Sequence, residues 1–342
     1  MTQPSDNHAV EINPRPVAAD VMQRVHDEVK TPFKYGIVLR GDGGKMVDCP
    51  SVFRFNNAWF MLYVCMNQVG YETHLARSDD LIKWEPLGKV LTFRDGDVWD
   101  KWQADGGVAL ADHRWDDSSH ELQTFDGKYW MSYIGGAGQG YEPDPLSIGM
   151  AWTKAPDQPA EWTRLENNPV LGPNDADVRD FERKTLYKSN IIWDKTETLG
   201  HPFVMFYNGK QAGKVGTERI GMAVSQDMVH WTRFGAGPVI DNGPRGISGD
   251  PQIKRIGDVW VMFYFGHVWK PKAFDTFACS YDLVNWTRWD GPHLTEPSEP
   301  WDEKFAHKPW MLKHDGVVYH YYCAVGNEGR VIALATSKDL RK

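Results

Sequence analysis

Short runs of hydrophobic residues alternate with turn residues along most of the chain. Aromatic-rich runs at 59–63, 260–264 and 319–322 have the composition and length of β-strands, and each precedes a copy of the phrase Ser-x-Asp-Leu-x-x-Trp or a variant of it. The copies, of which the second is loose and the fifth truncated, end at Trp84, Trp162, Trp231, Trp286 and Leu340. Five copies of one all-β unit predict a β-propeller, in which any chemistry lies at the central axis.

The repeat predicts an all-β fold with five blades of four antiparallel strands. The blades span residues 46–91, 121–171, 186–240, 252–294 and 309–340. The fifth blade ends before its outer strand, so we expect an N-terminal segment around 35–39 to supply that strand and close the ring, which removes exposed sheet edges. Residues 1–30 form a polar tail or clasp with a short helical pattern, and residues 31–342 form a single propeller domain.

Composition and charge narrow the function. A chain of 342 residues that is 41% hydrophobic can bury a large core. A net charge of −8 argues against nucleic acid or an anionic membrane as a partner and favours a neutral one. No signal peptide or apolar run of roughly 20 residues is visible, so we expect a cytoplasmic protein, or a secreted or periplasmic one if a signal has been removed. The four cysteines lack Cys-x-x-Cys spacing, which favours free thiols.

Polar residues cluster where the innermost strands of several blades begin. Aligning the blades on Tyr63, Tyr264 and Tyr322, which end the second strands, brings three prolines into register. The pairs of residues that precede these prolines are Asp48-Cys49, Gly249-Asp250 and His307-Lys308. Long polar insertions also lead into the first strands, so we expect these groups to converge on one central funnel.

The first blade resembles a known enzyme superfamily. The run from Val47 to Phe53, followed by an Asn-Asn turn and an aromatic strand, is similar to the opening blade of the five-bladed propeller glycoside hydrolases, and the blade-ending phrase is similar as well. The pattern most resembles family 43, with families 32, 62, 68, 117 and 130 as relatives. The resemblance covers about residues 46–340 and implies cleavage of a glycosidic bond in a small oligosaccharide.

The resemblance also implies roles for three carboxyl groups. Asp48 matches the general base of family 43, Glu182 is the first choice for the general acid, and Asp250 is the pKa modulator or an alternative acid. No Glu-Gly-Pro precedes a strand, as it does in many members, so the acid stays open between Glu182 and Asp250. An inverting glycosidase needs a protonated acid at the leaving oxygen and a carboxylate that activates water. Burial or a neighbouring carboxylate must raise the pKa of the acid.

Further residues are candidates for substrate binding. Trp102 and Asp105 suit a sugar, because an indole stacks on its apolar face while a carboxylate accepts hydrogen bonds from its hydroxyls. Trp310 and Trp269 are further candidates for stacking. The charged candidates near the blade starts are Glu121, Arg183, His307 and Lys308. For each of these, an ordinary surface role is the alternative.

Three functions remain open from the sequence. We expect an exo-acting, inverting hydrolase that removes an arabinofuranosyl, xylosyl or galactosyl unit, because long loops would wall one end of the funnel into a pocket. One alternative is a family 130-type phosphorylase or mannosidase, whose phosphate would need cationic side chains, for which the candidates are His307, Lys308, Arg183 and Arg245. The other alternative is a non-catalytic carbohydrate-binding propeller. The histidines lack metal-binding spacing, so no cofactor is required, although a structural cation at the axis is compatible with the resemblance.

Overall fold

A computed structural model of the chain describes residues 14–116, 120–213 and 216–341. Helix α1 (Ala19–Val29) and strand β1 (Phe33–Leu39) come first. The next set of strands comprises β2 (Met46–Phe55), β3 (Ala58–Met66), β4 (Tyr71–Ser78) and β5 (Glu85–Leu91). The second comprises β6 (Gln103–Val108), β7 (Tyr129–Gly136), β8 (Ser147–Thr153) and β9 (Thr163–Arg164).

The remaining strands continue this arrangement. The third set comprises β10 (Thr185–Trp193), β11 (Phe203–Lys210), β12 (Glu218–Ser225) and β13 (Thr232–Phe234). The fourth comprises β14 (Ile247–Ile256), β15 (Val259–His267), β16 (Ala273–Ser280) and β17 (Thr287–Arg288). The last three strands are β18 (Phe305–His314), β19 (Val317–Gly326) and β20 (Gly329–Thr336). Consecutive strands within each set pair in antiparallel fashion, which is the pairing of a propeller blade.

The N-terminal strand pairs with the last strand of the chain. β1, which contains the predicted 35–39 segment, runs antiparallel to β20 from Phe33 opposite Thr336 to Leu39 opposite Ile332. Helix α1 buries Met22, Val25 and Val29 against the strands of the fourth and fifth sets, as expected from apolar residues at helical spacing. Helix α1 thus packs against these strands, while the role of residues 1–30 as a clasp stays a prediction and residues 1–13 lie outside the described part of the chain.

The repeated phrase forms the turn between the third and fourth strands of a set. In the first copy, Ser78 Oγ accepts a hydrogen bond from Leu81 N at 2.9 Å and Asp80 Oδ1 accepts one from Lys83 N at 2.7 Å. Leu81 has a φ of +64°, and Met228 and Leu283 repeat that conformation at +65° and +68°. The Ser and Asp side chains thus supply the bonds that a turn backbone lacks.

The inner strands are buried on both faces, and their alternate residues belong to different core clusters. In β11, Phe203, Met205 and Tyr207 belong to one cluster, and Val204 and Phe206 belong to the next. Among the described residues, all four cysteines are buried free thiols. No helix in the described ranges is both long and apolar enough to cross a membrane. Packing of this core holds the innermost strands in place, and the candidate site lies where those strands begin.

Candidate active site

Three innermost strands carry the same backbone irregularity at the aligned positions. The pairing register shifts between Asp48 and Ser51 in β2, and at the equivalent positions of β14 and β18. Within each bulge one residue has a positive φ, with values of 51° at Cys49, 51° at Asp250 and 63° at Lys308. A non-glycine residue in this region is strained, and such strain clusters at functional sites.

Asp48 is buried between two cations. Its Oδ2 accepts hydrogen bonds from Lys308 Nζ at 3.0 Å and from the Arg330 guanidinium at 2.8 Å, while Oδ1 accepts one from Cys49 N at 2.8 Å. Burial would raise the pKa of Asp48, but Lys308 and Arg330 outweigh it and hold that pKa well below its usual range. Asp48 is therefore held as an anion, and both of its oxygens already accept hydrogen bonds from the protein.

Asp105 forms a second buried ion pair at the axis. Lys188 Nζ donates to Asp105 Oδ1 and, at 3.0 Å, to Gly106 O. Burial would lower the pKa of Lys188, but the Asp105 carboxylate outweighs it and raises that pKa. Cys49 Sγ lies 3.3 Å from Asp105 Oδ2 and 3.8 Å from Asp250 Oδ2, so one thiol connects residues of three strand sets.

A pocket opens at the starts of the innermost strands. It is lined by Asp105, Ile134, Glu142, Tyr187, Lys188, Asn208, Glu218, Asp250, Phe265 and Lys308. Four of these side chains are carboxyl groups and two are lysines, so the pocket is densely charged. Lys308 links the pocket to the buried Asp48 behind it, because its Nζ contacts Glu142 Oε1 at 3.3 Å as well as Asp48 Oδ2.

Two of the lining acids have pKa values raised towards neutrality. Burial raises the pKa of Glu218 to about 7, and the nearby Glu142 carboxylate adds to this effect. Burial also raises the pKa of Asp250 to about 7, against the lowering influence of Lys308 and Lys188. Glu218 accepts a hydrogen bond from Asn208 Nδ2 at 3.2 Å. An acid with such a pKa can donate a proton at neutral pH.

The loop between β7 and β8 carries Glu142 and is fastened over the pocket. Gln103 Nε2 donates to Gly138 O at 2.9 Å and to Gly140 O at 3.0 Å. Gly140 N donates to Val69 O at 2.8 Å, and Tyr71 OH lies 3.4 Å from Glu142 Oε1. These bonds hold the loop in one place and bring Glu142 to the carboxyl groups of the strands.

The structure does not bring Glu182 into this pocket. It lies in a short helical turn, where it accepts hydrogen bonds from Arg233 Nε at 2.6 Å, Tyr207 OH at 2.7 Å and Arg179 Nε at 3.1 Å. Burial would raise the pKa of Glu182, but the bonds from Arg179 outweigh it and lower that pKa. Two guanidinium groups therefore stabilise the ionised form of Glu182, and the residue does not line the pocket that contains Asp250, so its expected role as general acid stays a prediction that this geometry does not favour.

Several candidates for substrate binding also lie elsewhere. Trp310 is buried in the core, with its Nε1 donating to Val52 O at 2.9 Å. Glu121 lies beside Arg54 at the far end of β2, about 20 Å along the strand from Asp48. Arg183 is half exposed and pairs with Asp180 at 2.9 Å, and Trp102 packs against Phe93 without lining the pocket.

His307 lies next to the pocket without lining it. Its Nδ1 is 3.1 Å from Cys323 O, and its ring meets Phe265 edge-on. Burial lowers the pKa of His307 to about 3, so the ring is uncharged at neutral pH. In the described ranges, no three His, Cys, Asp or Glu side chains are grouped so that they could hold a metal ion.

Sequence reasoning missed Glu142, Glu218 and Lys188. Glu218 begins the third strand of its set and forms a parallel bridge to Ile247 in the first strand of the next set. Tyr71 and Ala273 occupy the equivalent positions in other sets, where they bridge to Gln103 and Phe305. A carboxylate at a position that holds tyrosine or alanine elsewhere is a signal that alignment of the third strands could have found. Glu142 lies in a loop between strands, and the repeated phrase gives no means of aligning loop residues between the sets.

Comparison with solved structures finds relatives that share the fold of nearly the whole chain. A structure of BT0996 in complex with RGII is 47% identical, covers 95% of this chain and 96% of that one, and has a TM-score of 0.90. A structure of a glycoside hydrolase matches with the same values. A thermostable family-43 glycoside hydrolase shares the fold at 14% identity and a TM-score of 0.61, covering 90% of this chain and 91% of that one.

No protein-family model and no curated protein sequence matches the chain. The structural relatives decide the family, because the first two combine nearly complete coverage with almost half of their residues identical. Their class is also the one that the charged pocket suits. The chain belongs to the glycoside hydrolases of the propeller-type fold and is a glycosidase.

Proposed function

We propose that the pocket hydrolyses a glycosidic bond with Glu218 as general acid and Glu142 as the partner carboxylate. The observation that carries this proposal is that Glu218 and Glu142 line the same pocket, where burial and the Glu142 carboxylate raise the pKa of Glu218 to about 7. Glu142 differs from Glu218 in having a cation beside it, because Lys308 Nζ lies 3.3 Å from Glu142 Oε1. Two carboxyl groups in contrasting environments are what acid and base roles require.

In this proposal Glu218 gives its proton to the leaving oxygen as the bond from the anomeric carbon to that oxygen breaks. A water molecule attacks the anomeric carbon from the opposite face and loses its proton to Glu142, which is the inverting course. Glu142 takes the role of base that the family resemblance implies for Asp48, because both oxygens of Asp48 already accept hydrogen bonds and Asp48 does not line the pocket. In this proposal Asp48 holds Lys308 and Arg330 in place, and Asp250 tunes the charge of the pocket or serves as an alternative acid. Asp105 fixes Lys188 in the same way.

The proposal includes five blades, with the ring closed by the pairing of β1 with β20. It also includes exo action on a terminal sugar of arabinofuranosyl, xylosyl or galactosyl type, supported by the fastened loop that covers one side of the pocket. An oligosaccharide is the expected substrate, since the relative BT0996 was solved in complex with RGII. We propose hydrolysis over phosphorolysis because Lys188 and Lys308 are already paired with carboxylates and His307 is uncharged.

Mutation of the two glutamates tests the proposal. Release of aryl alcohol from a panel of aryl glycosides should fall at least about 1,000-fold in Glu218→Gln and in Glu142→Gln, whereas Glu85→Gln on an exposed outer strand should behave as wild type. The activity of the wild type should fall as the pH rises through about 7, because Glu218 loses its proton there. Near wild-type turnover by Glu218→Gln would exclude it as the acid.

The stereochemical part has its own measurement. Proton NMR of the first product formed shows whether the anomeric configuration is inverted. Retention would show that one carboxylate attacks the sugar directly, and the assignment of Glu142 as a base for water would then be wrong.

A further inference from the structure

A second polar cleft lies at the opposite end of the strands from the catalytic pocket. It has a volume of about 630 Å³, which is in the range of small-molecule sites. Its walls come from the ends of β10 and β14 and from the beginning of β15. Asp250 and Arg255 lie on the same strand, five residues apart, so the cleft is about 17 Å from the pocket.

Two cations in this cleft have no acidic partner in the described ranges. Arg255 lies over the ring of Trp260 at 5.0 Å, and Lys195 lies over Trp193 at 4.9 Å. No described carboxylate comes within the 4.0 Å of an ion pair with either one. Partial burial lowers the pKa of Arg255, while Asp258 and Asp194 raise it by less. Cations without an ion-pair partner among the described residues are notable in a chain with a net charge of −8.

The same cleft offers unused groups that suit sugar hydroxyls. His113 Nδ1 and Gln123 Oε1 are buried atoms without a hydrogen-bond partner in the described protein. Burial lowers the pKa of His113 to about 4, so its ring is neutral and has one nitrogen free to accept a hydrogen bond. The acidic residues nearby are occupied, since Asp194 accepts bonds from Thr196 and Thr198 and Asp112 pairs with Arg114.

We propose that this cleft is a second carbohydrate site that binds an acidic sugar unit, with the carboxylate of a uronate on Arg255 and Lys195. The hydroxyls of the same sugar bond to Gln123 and His113. A uronate uses both sets of groups, whereas a neutral sugar leaves the cations unpaired and an inorganic anion leaves His113 and Gln123 unused. Such a site would keep the enzyme on an acidic polysaccharide while the pocket at the other end works.

Calorimetric titration with D-galacturonate, and with D-galactose as the matched neutral sugar, tests this site at constant ionic strength. We expect galacturonate to bind the wild type and galactose to bind at least about tenfold more weakly. Arg255→Gln and the exposed Lys195→Gln should each weaken galacturonate binding, the former about tenfold or more. Arg77→Gln, which removes an exposed guanidinium from the edge of the first set, should bind galacturonate as wild type does.

A further variant separates this site from the catalytic one. Glu218→Gln should bind galacturonate with unchanged affinity, because the two sites are about 17 Å apart. Loss of binding in Glu218→Gln, unchanged binding in Lys195→Gln, equal binding of the two sugars, or equal affinity for inorganic phosphate would each overturn the proposal. Thermal melting of Arg255→Gln shows whether this variant is folded. If Arg255→Gln is unstable, the binding measured with Lys195→Gln decides the test.

Discussion

Replacing Asp250 by asparagine should stabilise the protein at neutral and alkaline pH while it lowers activity. The unfolded aspartate ionises near pH 4, whereas burial raises the pKa of Asp250 in the folded protein to about 7. Between these pH values the folded state holds a proton that the unfolded state has released. The free energy of unfolding therefore decreases as the pH rises from about 4 to about 7 and then levels off.

The size of this effect follows from the two pKa values. A rise from about 4 to about 7 corresponds to roughly 4 kcal/mol, and this is an upper limit because the side chain faces an open pocket and the two lysines partly compensate. Asparagine resembles the protonated acid at every pH. The stability of Asp250→Asn relative to wild type should thus grow by up to about 4 kcal/mol between pH 4 and pH 8.

Urea denaturation of both proteins from pH 4 to pH 8 measures this difference. Asp180→Asn serves as the control, because Asp180 is exposed and pairs only with Arg183 at the surface, and its difference from wild type should stay nearly constant. A stability difference between Asp250→Asn and wild type that does not change with pH would refute the reasoning. A wild type whose stability rises between pH 5 and pH 7 more than the variant would also refute it.

Three further substitutions separate charge, packing and chemistry. Lys308→Met removes the cation that Asp48 and Glu142 share, so it should lower the free energy of unfolding by about 3 kcal/mol in urea denaturation. It should also reduce kcat/KM about 100-fold or more, and Lys308→Arg should recover part of that loss. Trp310→Phe should lower the melting temperature through loss of the bond to Val52 O but leave KM unchanged; a raised KM would restore its role in stacking. Glu182→Gln should cost about 2 to 3 kcal/mol of stability with kcat within a few-fold of wild type, and a kcat loss of 1,000-fold would return Glu182 to the chemistry.

Most of the fold can be predicted from the repeated phrase, because each copy contains both the apolar residues that pack and the polar residues that form the turn. In three sets the serine of the phrase accepts a hydrogen bond from the backbone N–H two residues on, and the aspartate accepts one from the N–H three residues on. The repeated phrase therefore marks the turn before the outer strand of these sets. The sequence also predicts which residues lie near the axis, because the prolines that follow Cys49, Asp250 and Lys308 align the innermost strands with one another. The structure places Asp250 and Lys308 in the pocket and Asp48 directly behind it.

The remaining site residues depend on information that spacing does not contain. Glu142 reaches the pocket only because Gln103 fastens a glycine-rich loop over it. Glu182 stands near the beginning of a blade in sequence, yet Arg179 and Arg233 hold it in an ion-pair network. Trp310 illustrates the same limit, because the direction of an indole along a strand depends on packing. Loop closure and side-chain partners, which arise from the folded chain, decide these three roles.

The bulges at Cys49, Asp250 and Lys308 have an evolutionary consequence. One backbone shape presents a thiol, a carboxylic acid and an ammonium group at the same axis, so the shape does not depend on the side chain that it carries. Mutation at any of these positions can change the chemistry of the axis while the strands on either side keep their pairing. Enzymes of this architecture can therefore acquire new reactions by exchanging single residues at fixed sites, without any change of fold.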